Sequence, residues 1–598
     1  MLGDDTEDRL TGGPGRRETS EASRGEMLAS VVPGLAVVHT YDPSWLRFDL
    51  VAGIVLTAML VPQGMAYAAL AGLPPIVGLY ATLVPLLAYA LFGPSRILVL
   101  GPDSALAPLV AAAVVPVAAD PDERVALAGL LAIIVGGLLL AGSVARLGFL
   151  TDLLSRPVRI GYLAGIAAVV LVDQIPHALG YSVGGENVFG DLKQLVEGLD
   201  DADGTAAAIG LGSLAVILGV RRISSAVPGV LIAVVGATLA VSVFDLDVSV
   251  LGPVPSGLPS PELPRPNVED LGRLALSALA IALIAFADTS VLSRSYASRA
   301  GQHVDQTDEL RALGIANVAT GLLQGFPISA SSSRTPVAEA AGAKTQLTGA
   351  VAAVALGIVL VAGTGVLEDI PDAALAAVII AAVLRLIDRQ DFQRLYRVNR
   401  PDFALAVASF VGVAVFGILP GVAIAVGLSI LAVLQRAWHP YMAVLSRVTG
   451  LKGYHDVVRH PEGHEVPGLL LFRFDAPLFF ANAEVFRERL GHALAARPGT
   501  RRVIVAAEPI TDVDSTAADM LSELLDELER DGVEFGFAEI KGPVKDHLFR
   551  YGLYDRIGDG RVYRTIGSAV RAYVSDHNVR WTDWEDEAEE AELGGRWF

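Results

Sequence analysis

Residues 324–349 read QGFPISASSSRTPVAEAAGAKTQLTG, and the rest of the chain is read outward from this stretch. A Phe-Pro breaker is followed by Ser329, Ser331, Ser332 and Ser333, then by Arg334 and a short alanine-rich helix. Strongly apolar sequence lies on both sides. Hydroxyls and a permanent cation inside a membrane region are costly and mark function. The simplest structure that uses them is an anion site at the N-terminus of a broken helix, where free N–H groups and the helix dipole favour negative charge.

The chain has 598 residues, 53% of them hydrophobic, with the apolar runs gathered between about residues 50 and 438. Such runs define a polytopic membrane protein, here with a water-soluble C-terminal part. Cysteine is absent, which excludes disulfides and thiolate metal sites. The formal charge of −20 gathers in the N-terminal leader, the outer loops and the tail WTDWEDEAEEAEL at residues 581–593. That tail reads as a solvated, disordered end. Nothing points to nucleic acid. Residues 1–45 form a polar leader without the apolar core of a signal peptide, so insertion is expected to begin with the first membrane helix.

Fourteen candidate spans follow in two sets of seven. The first set lies at about 49–70, 73–92, 103–117, 124–146, 156–179, 205–222 and 227–244. The second lies at about 271–296, 311–323, 331–342, 346–365, 371–388, 402–419 and 420–439. Crossing about 30 Å of hydrocarbon takes about 20 residues. The third and tenth spans are too short for that, and each holds the third place in its set. Charge supports the count. With both termini inside, the inner loops collect Arg96, Arg146, Arg156, Arg159, Arg221, Arg222, Arg294, Arg299, Lys344, Arg385 and Arg389, while the outer loops are rich in Asp and Glu (Glu186, Asp191, Asp200, Glu368).

The two short spans also rhyme. Residues 97–113 read ILVLGPDSALAPLVAAA and residues 326–341 read FPISASSSRTPVAEAA. Each has an extended stretch, a small polar cluster, then a small-residue helix with a proline inside, Pro108 or Pro336. Seven is odd, so the second set enters from the opposite side, as an inverted repeat. Interrupted segments at matching places in inverted repeats are the best sequence pointer to a transporter's binding site.

Past Trp438 the pattern becomes soluble α/β. Strands are expected at LLLFRFD, RRVIVAA and VEFGFAEI, with helices at 483–496, 515–531, 544–551 and near 565–573. This implies a small sheet with helices packed on it. Residues 440–467 read as a linker, with Arg447 and Lys452 at the inner membrane face, and residues 577–598 as an acidic tail.

Gln63 lies mid-span in VPQGMAYAALAGLPPIVGLYA, residues 61–81. Beside Pro62 it is either part of a kinked packing helix or an amide facing substrate. Here a family resemblance becomes plain. Residues 62–81 resemble the signature segment of the SulP family of anion permeases. GPDSALAPLV at 101–110, LLSRPVRIGYLAGIA at 153–167, FADTSVLSRSYASRAG at 286–301 and the run 308–349 are similar to its third, fifth, eighth, and ninth-to-tenth spans. The C-terminal part resembles the STAS domain attached to these permeases. The resemblance implies a membrane domain at 46–439 with fourteen spans as a seven-plus-seven inverted repeat. Spans 1–4 and 8–11 would form a core, and spans 5–7 and 12–14 a gate. A cytoplasmic α/β STAS domain would occupy residues 468–576. It also implies a homodimer and an elevator movement of core past gate.

Carried onto this sequence, the resemblance places the substrate at Gln63, Ser104, Ala105, Ser331, Ser332, Ser333 and Arg334. Asp103 departs from the small or hydroxyl residue expected beside an anion; it is expected to face the inner end, cap the helix or pair with a cation. Asp288 falls on the eighth-span acidic position. With Thr289 it is expected to carry a proton or hold Na⁺, the alternative being a fixed ion pair with Arg334. Arg334 is expected in the second turn of its half-helix. In ITDVDSTAAD at 510–519, Ser515 and Thr516 are expected to cap a helix, with phosphorylation as the other possibility. No constellation suggests an enzyme, a cofactor or a metal. The expectation is a multi-pass cell-membrane transporter of a small inorganic anion, sulfate first, coupled to H⁺ or Na⁺ or working by exchange. Bicarbonate, a C4-dicarboxylate and an anion channel are the alternatives, and the STAS domain is free to dock a cytoplasmic partner.

Overall fold

A computed structural model describes residues 32–34, 41–148, 155–182, 188–223, 228–262, 268–301 and 303–584. The leader up to residue 31 and the tail from residue 585 lie outside the described residues. The chain divides into two compact units, Met1–Ile430 and Leu431–Phe598.

All fourteen expected spans contain a helix. In chain order these are α1 (Leu46–Leu70), α2 (Pro75–Phe92), α3 (Ala107–Val114), α4 (Pro121–Val144) and α5 (Arg156–Ala178). After α6 (Val188–Glu197) come α7 (Gly204–Ile223), α8 (Gly229–Phe244), α9 (Val268–Arg299), α10 (Gln306–Leu322) and α11 (Thr335–Ala340). Then follow α12 (Leu347–Ala362), α13 (Asp372–Val383), α14 (Arg389–Val398), α15 (Arg400–Phe416) and α16 (Ile418–Trp438). Seven of the described helices are long and apolar enough to cross a membrane unaided.

Two helices, α6 and α14, were not expected. Both are short and amphipathic, and charged faces such as RQDFQRLYRV make them read as loop. The other departures are at boundaries. Helix α10 starts at Gln306 because the Asp305 carboxylate accepts the Thr307 amide at 2.7 Å, five residues before the apolar run begins. Helix α11 is only six residues long, and Arg334 is its N-cap residue rather than a member of its second turn.

The broken spans meet. Strand β1 (Leu100–Gly101), ahead of α3, pairs antiparallel with β2 (Ser329–Ala330), ahead of α11, setting Leu100 opposite Ala330 and Gly101 opposite Ser329. This pairing satisfies backbone groups that an interrupted helix would otherwise leave bare at membrane depth.

The helices pack as two groups. In one, α4 lies along α10 and α2 along α12; in the other, α5 lies along α15 and α7 along α13. Each pairing is the repeat image of its partner, as an inverted repeat requires. Small residues bring the backbones close. A Cβ on Gly321 would stand 2.4 Å from the Gly129 carbonyl, and one on Gly161 would stand 2.1 Å from that of Ala406. Close approach of this kind supplies the packing that lipid cannot drive.

The second unit holds a six-stranded sheet in the order β4-β3-β5-β6-β7-β8. Its strands are β3 (Met442–Arg447), β4 (Tyr454–Asp456), β5 (Leu469–Phe474), β6 (Arg502–Ala506), β7 (Glu534–Ala538) and β8 (Val562–Tyr563). Strands β5 to β8 are parallel, and β3 is antiparallel to β4 and β5. Helices α17 (Ala483–Ala495), α18 (Ser515–Arg530), α19 (Gly542–Arg550) and α20 (Leu553–Ile557) cover one face with Phe472, Phe474, Val505 and Phe537. Helix α21 (Ile566–His577) covers the other with Leu471, Ile504 and Ala538.

The stretch 440–467 is therefore no linker, since it supplies two strands. Arg447 does not face a membrane either: it is buried, 2.7 Å from the Asp583 carboxylate, and donates to the Gly453 carbonyl. Trp584 Nε1 donates to the Val448 carbonyl at 2.9 Å, so the acidic tail is packed on the domain up to that residue. A short strand preceded by His-Pro and followed by Gly carries too little alternation to stand out in sequence.

Candidate functional site

Arg334 lies at the crossing of the two broken spans. Its side chain is fully buried, and one end of its guanidinium donates to the Pro102 carbonyl just ahead of α3. Its Nε and Nη1 have no hydrogen-bond partner. Gly101 makes room for this reach, because a Cβ there would stand 2.8 Å from Nη1. A buried cation with two unsatisfied donors is several kcal/mol unfavourable until an anion joins it.

The hydroxyls are divided between structure and cavity. Ser331 is buried; its Oγ accepts the Arg334 amide at 3.3 Å and lies 3.1 Å from Ser333 Oγ. Ser332 and Ser333 line a cavity of about 40 Å³ together with Gln63, Tyr67, Ser104 and Arg385. Gln63 is buried, and its Oε1 has no hydrogen-bond partner. The structure therefore brings Gln63, Ser104, Ser332 and Ser333 to one cavity, while Arg334 and Ser331 are buried and do not line it. Tyr67 and Arg385 line it as well, without having been expected. Tyr67 is one helical turn past Gln63, a spacing that could have revealed it. Arg385 read as a loop charge.

The two half-helices are not equivalent. The Asp103 carboxylate accepts the Ala105 amide at 2.9 Å, and the Asp103 carbonyl accepts those of Leu106 and Ala107. Asp103 thus closes the turn that leads into α3, and the Ala105 N–H expected for substrate is already taken. Among the described residues, no hydrogen bond is made by the amides of Ser332 and Ser333.

Asp288 lies 3.9 Å from Arg159 Nη1, not against Arg334. Thr289 is fully buried, and its Oγ1 accepts the Ala330 amide at 3.1 Å, pinning β2. Its hydroxyl serves the strand crossing in this arrangement.

In the second unit the cap of α18 is Asp514, whose carboxylate accepts the Ala517 amide at 2.8 Å. Ser515 and Thr516 are the first two residues of the helix and are exposed. The longer carboxylate reaches the amide three residues on, which leaves both hydroxyls free.

A bundle with two crossed broken helices, a buried arginine and converging hydroxyls defines a membrane transport protein for anions, carrying an α/β domain behind its last span. The sulfate permease family matches residues 46–409 and the STAS domain matches residues 460–569, and the chain belongs to that family. It is 42% identical to a probable sulfate transporter of Mycobacterium tuberculosis over 550 residues, covering 91% of this chain and 98% of the relative. It is 31% identical to the chloroplastic sulfate transporter 4.1 of Arabidopsis thaliana over 582 residues, 93% of this chain and 84% of the relative. The fold is that of SLC26A9, with a TM-score of 0.84 at 21% identity over 96% of this chain and 98% of the other.

Proposed function

We propose that this protein is a secondary active transporter of small inorganic anions, with sulfate as its substrate. The observation that carries the reading is Arg334, buried with two free donors and directly following Ser332 and Ser333, which line a cavity with Gln63 and Ser104. Sulfate presents oxygens to such donors on every side, and an always-charged guanidinium offsets its charge at any pH. The sulfate transporters among its relatives support this choice.

The two helix groups supply the movement. The group holding Arg334 carries the anion as an elevator against the group built on α5, α7, α13 and α15. Asp288, a carboxylate within the membrane helices beside Arg159, is suited to a proton or Na⁺ that travels with the anion or drives it. The basic loops face the cytoplasm, so both termini do as well, with the protein in the cell membrane as a homodimer. The STAS domain, with Ser515 and Thr516 exposed, serves cytoplasmic docking or regulation.

The test is uptake of labelled sulfate, bicarbonate and fumarate into proteoliposomes under imposed pH and Na⁺ gradients. Sulfate uptake that saturates and follows one gradient is expected. Uptake of none of these anions rejects transport. Current far above carrier turnover, without a coupled ion, replaces the carrier by a channel.

A further inference from the structure

Two arginines that read as loop charges share one cavity. It measures about 390 Å³ and is lined by Arg221 near the end of α7, Arg385 just past α13, Ser332 and Ser333 ahead of α11, and Val337 within α11. Ser332, Ser333 and Arg385 also line the smaller cavity that holds Gln63, Tyr67 and Ser104. The larger space thus adjoins the smaller, and Arg385 stands where they meet. Among the described residues, no carboxylate lines either one. Arg385 Nε is buried without a hydrogen-bond partner. Two like charges facing one space repel each other, and an anion between them relieves that repulsion.

We propose that Arg221 and Arg385 form a second oxyanion station, in series with Arg334. The station collects a small oxyanion from the face that carries the basic loops and hands it to Ser332 and Ser333. It rests on the transport reading above. Its parts come from different helix groups: the arginines from the group of α7 and α13, the serines from the group of α11. Sliding of one group past the other takes the station apart and leaves the ion with Arg334 alone. A doubly charged ion gains about twice the Coulomb attraction of a singly charged one there, so the station favours sulfate over chloride.

The chain has no cysteine, so a single Val337→Cys variant reports the cavity's field without background. In the full-length protein in proteoliposomes, an anionic methanethiosulfonate is expected to label the introduced thiol at least tenfold faster than a cationic one, about 1.4 kcal/mol of preference. Adding Arg221→Gln and Arg385→Gln is expected to bring the ratio to within about twofold of one. Millimolar sulfate is expected to slow labelling only while both arginines are present. Equal rates with the two reagents, or a preference that survives loss of both arginines, overturns the station. A second arm measures sulfate uptake in vesicles of either orientation. Arg385→Gln is expected to raise KM about tenfold from the basic face and less than twofold from the other, with Arg385→Lys restoring most of it. Equal changes from both faces overturn the station and place Arg385 in the Arg334 site. If the wild-type protein moves no anion, the transport reading falls, while the labelling arm still decides the station.

Discussion

The Asp288 carboxylate stands 3.9 Å from the Arg159 guanidinium, across the boundary between the two helix groups. Arg159 is on α5 and Asp288 on α9, so the pair joins parts that an elevator movement would separate. At this distance, with both side chains partly exposed, the pair contributes little to stability, within about 1 kcal/mol. Asp288→Asn is therefore expected to leave thermal stability nearly unchanged while abolishing accumulation driven by a pH or Na⁺ gradient. Uptake in proteoliposomes measures this. An Asn variant that responds to both gradients like the wild type removes Asp288 from coupling.

Arg334→Ala is expected to weaken sulfate binding by roughly 10- to 150-fold, the worth of a charge-assisted hydrogen bond. Arg334→Lys is expected to recover only part of this, because one ammonium cannot hold the Pro102 carbonyl and keep a planar fork toward the anion. Equilibrium binding of labelled sulfate to the purified variants reads both effects. Wild-type affinity in the alanine variant would show that the guanidinium is only a strut.

Asp49 ties the start of α1 to the loop before α12. Its carboxylate accepts the Lys344 amide at 2.7 Å, the Thr345 hydroxyl at 2.8 Å and the Thr348 hydroxyl at 2.9 Å. Asp49→Ala leaves these buried donors without an acceptor and is expected to cost about 1–3 kcal/mol for each donor left unpaired. A clear drop in melting temperature in detergent is the readout, and an unchanged Tm would contradict it.

The α18 cap separates two residue types. Asp514 also accepts the Phe480 amide at 2.8 Å. Asp514→Ala is expected to cost about 1–2 kcal/mol. Ser515→Ala is expected to stay within about 0.5 kcal/mol, as exposed positions usually do. Denaturant unfolding followed through the STAS domain distinguishes them, and the reverse order would return the cap to Ser515.

Glu534 makes that domain sensitive to acid. Burial pushes its carboxyl up, but hydrogen bonding to Arg502, with Arg561 and His577 beside it, holds it below the ordinary glutamate value. The folded form thus binds its proton less readily than the unfolded chain. The resulting stability is present above the ordinary glutamate range, about 4.3, and is lost as pH falls through the depressed value. Glu534→Gln is expected to lower the unfolding temperature at pH 7 and to match the wild type once pH has fallen below the depressed value. A gap that persists in acid would assign the effect to packing.

Much of this protein is written in local patterns. Membrane helices announce themselves by apolar runs, because their backbone must be satisfied within each segment. The likeness of residues 97–113 to residues 326–341 marked the crossing, and Pro108, Pro336 and the serines marked its polarity. The parallel strands β5 to β7 were legible as apolar runs between helices. The strands at 442–447 and 454–456 were not, because they are short, lie between His439-Pro440 and glycines, and carry too little alternation to stand out. Helix α14 passed for a loop because its sequence, RQDFQRLYRV, is charged.

The sequence by itself determined the fourteen apolar spans, the inverted repeat, the family and the clustering of hydroxyls with Arg334. Only the tertiary structure decided how those groups are used. It gave the amide of Ala105 to Asp103, kept Thr289 for β2, set Asp288 against Arg159 and brought Arg221 and Arg385 to one cavity. Each is a contact between residues far apart in the chain or a choice among nearby acceptors. Such choices depend on distances of a few ångströms, which composition and spacing do not encode.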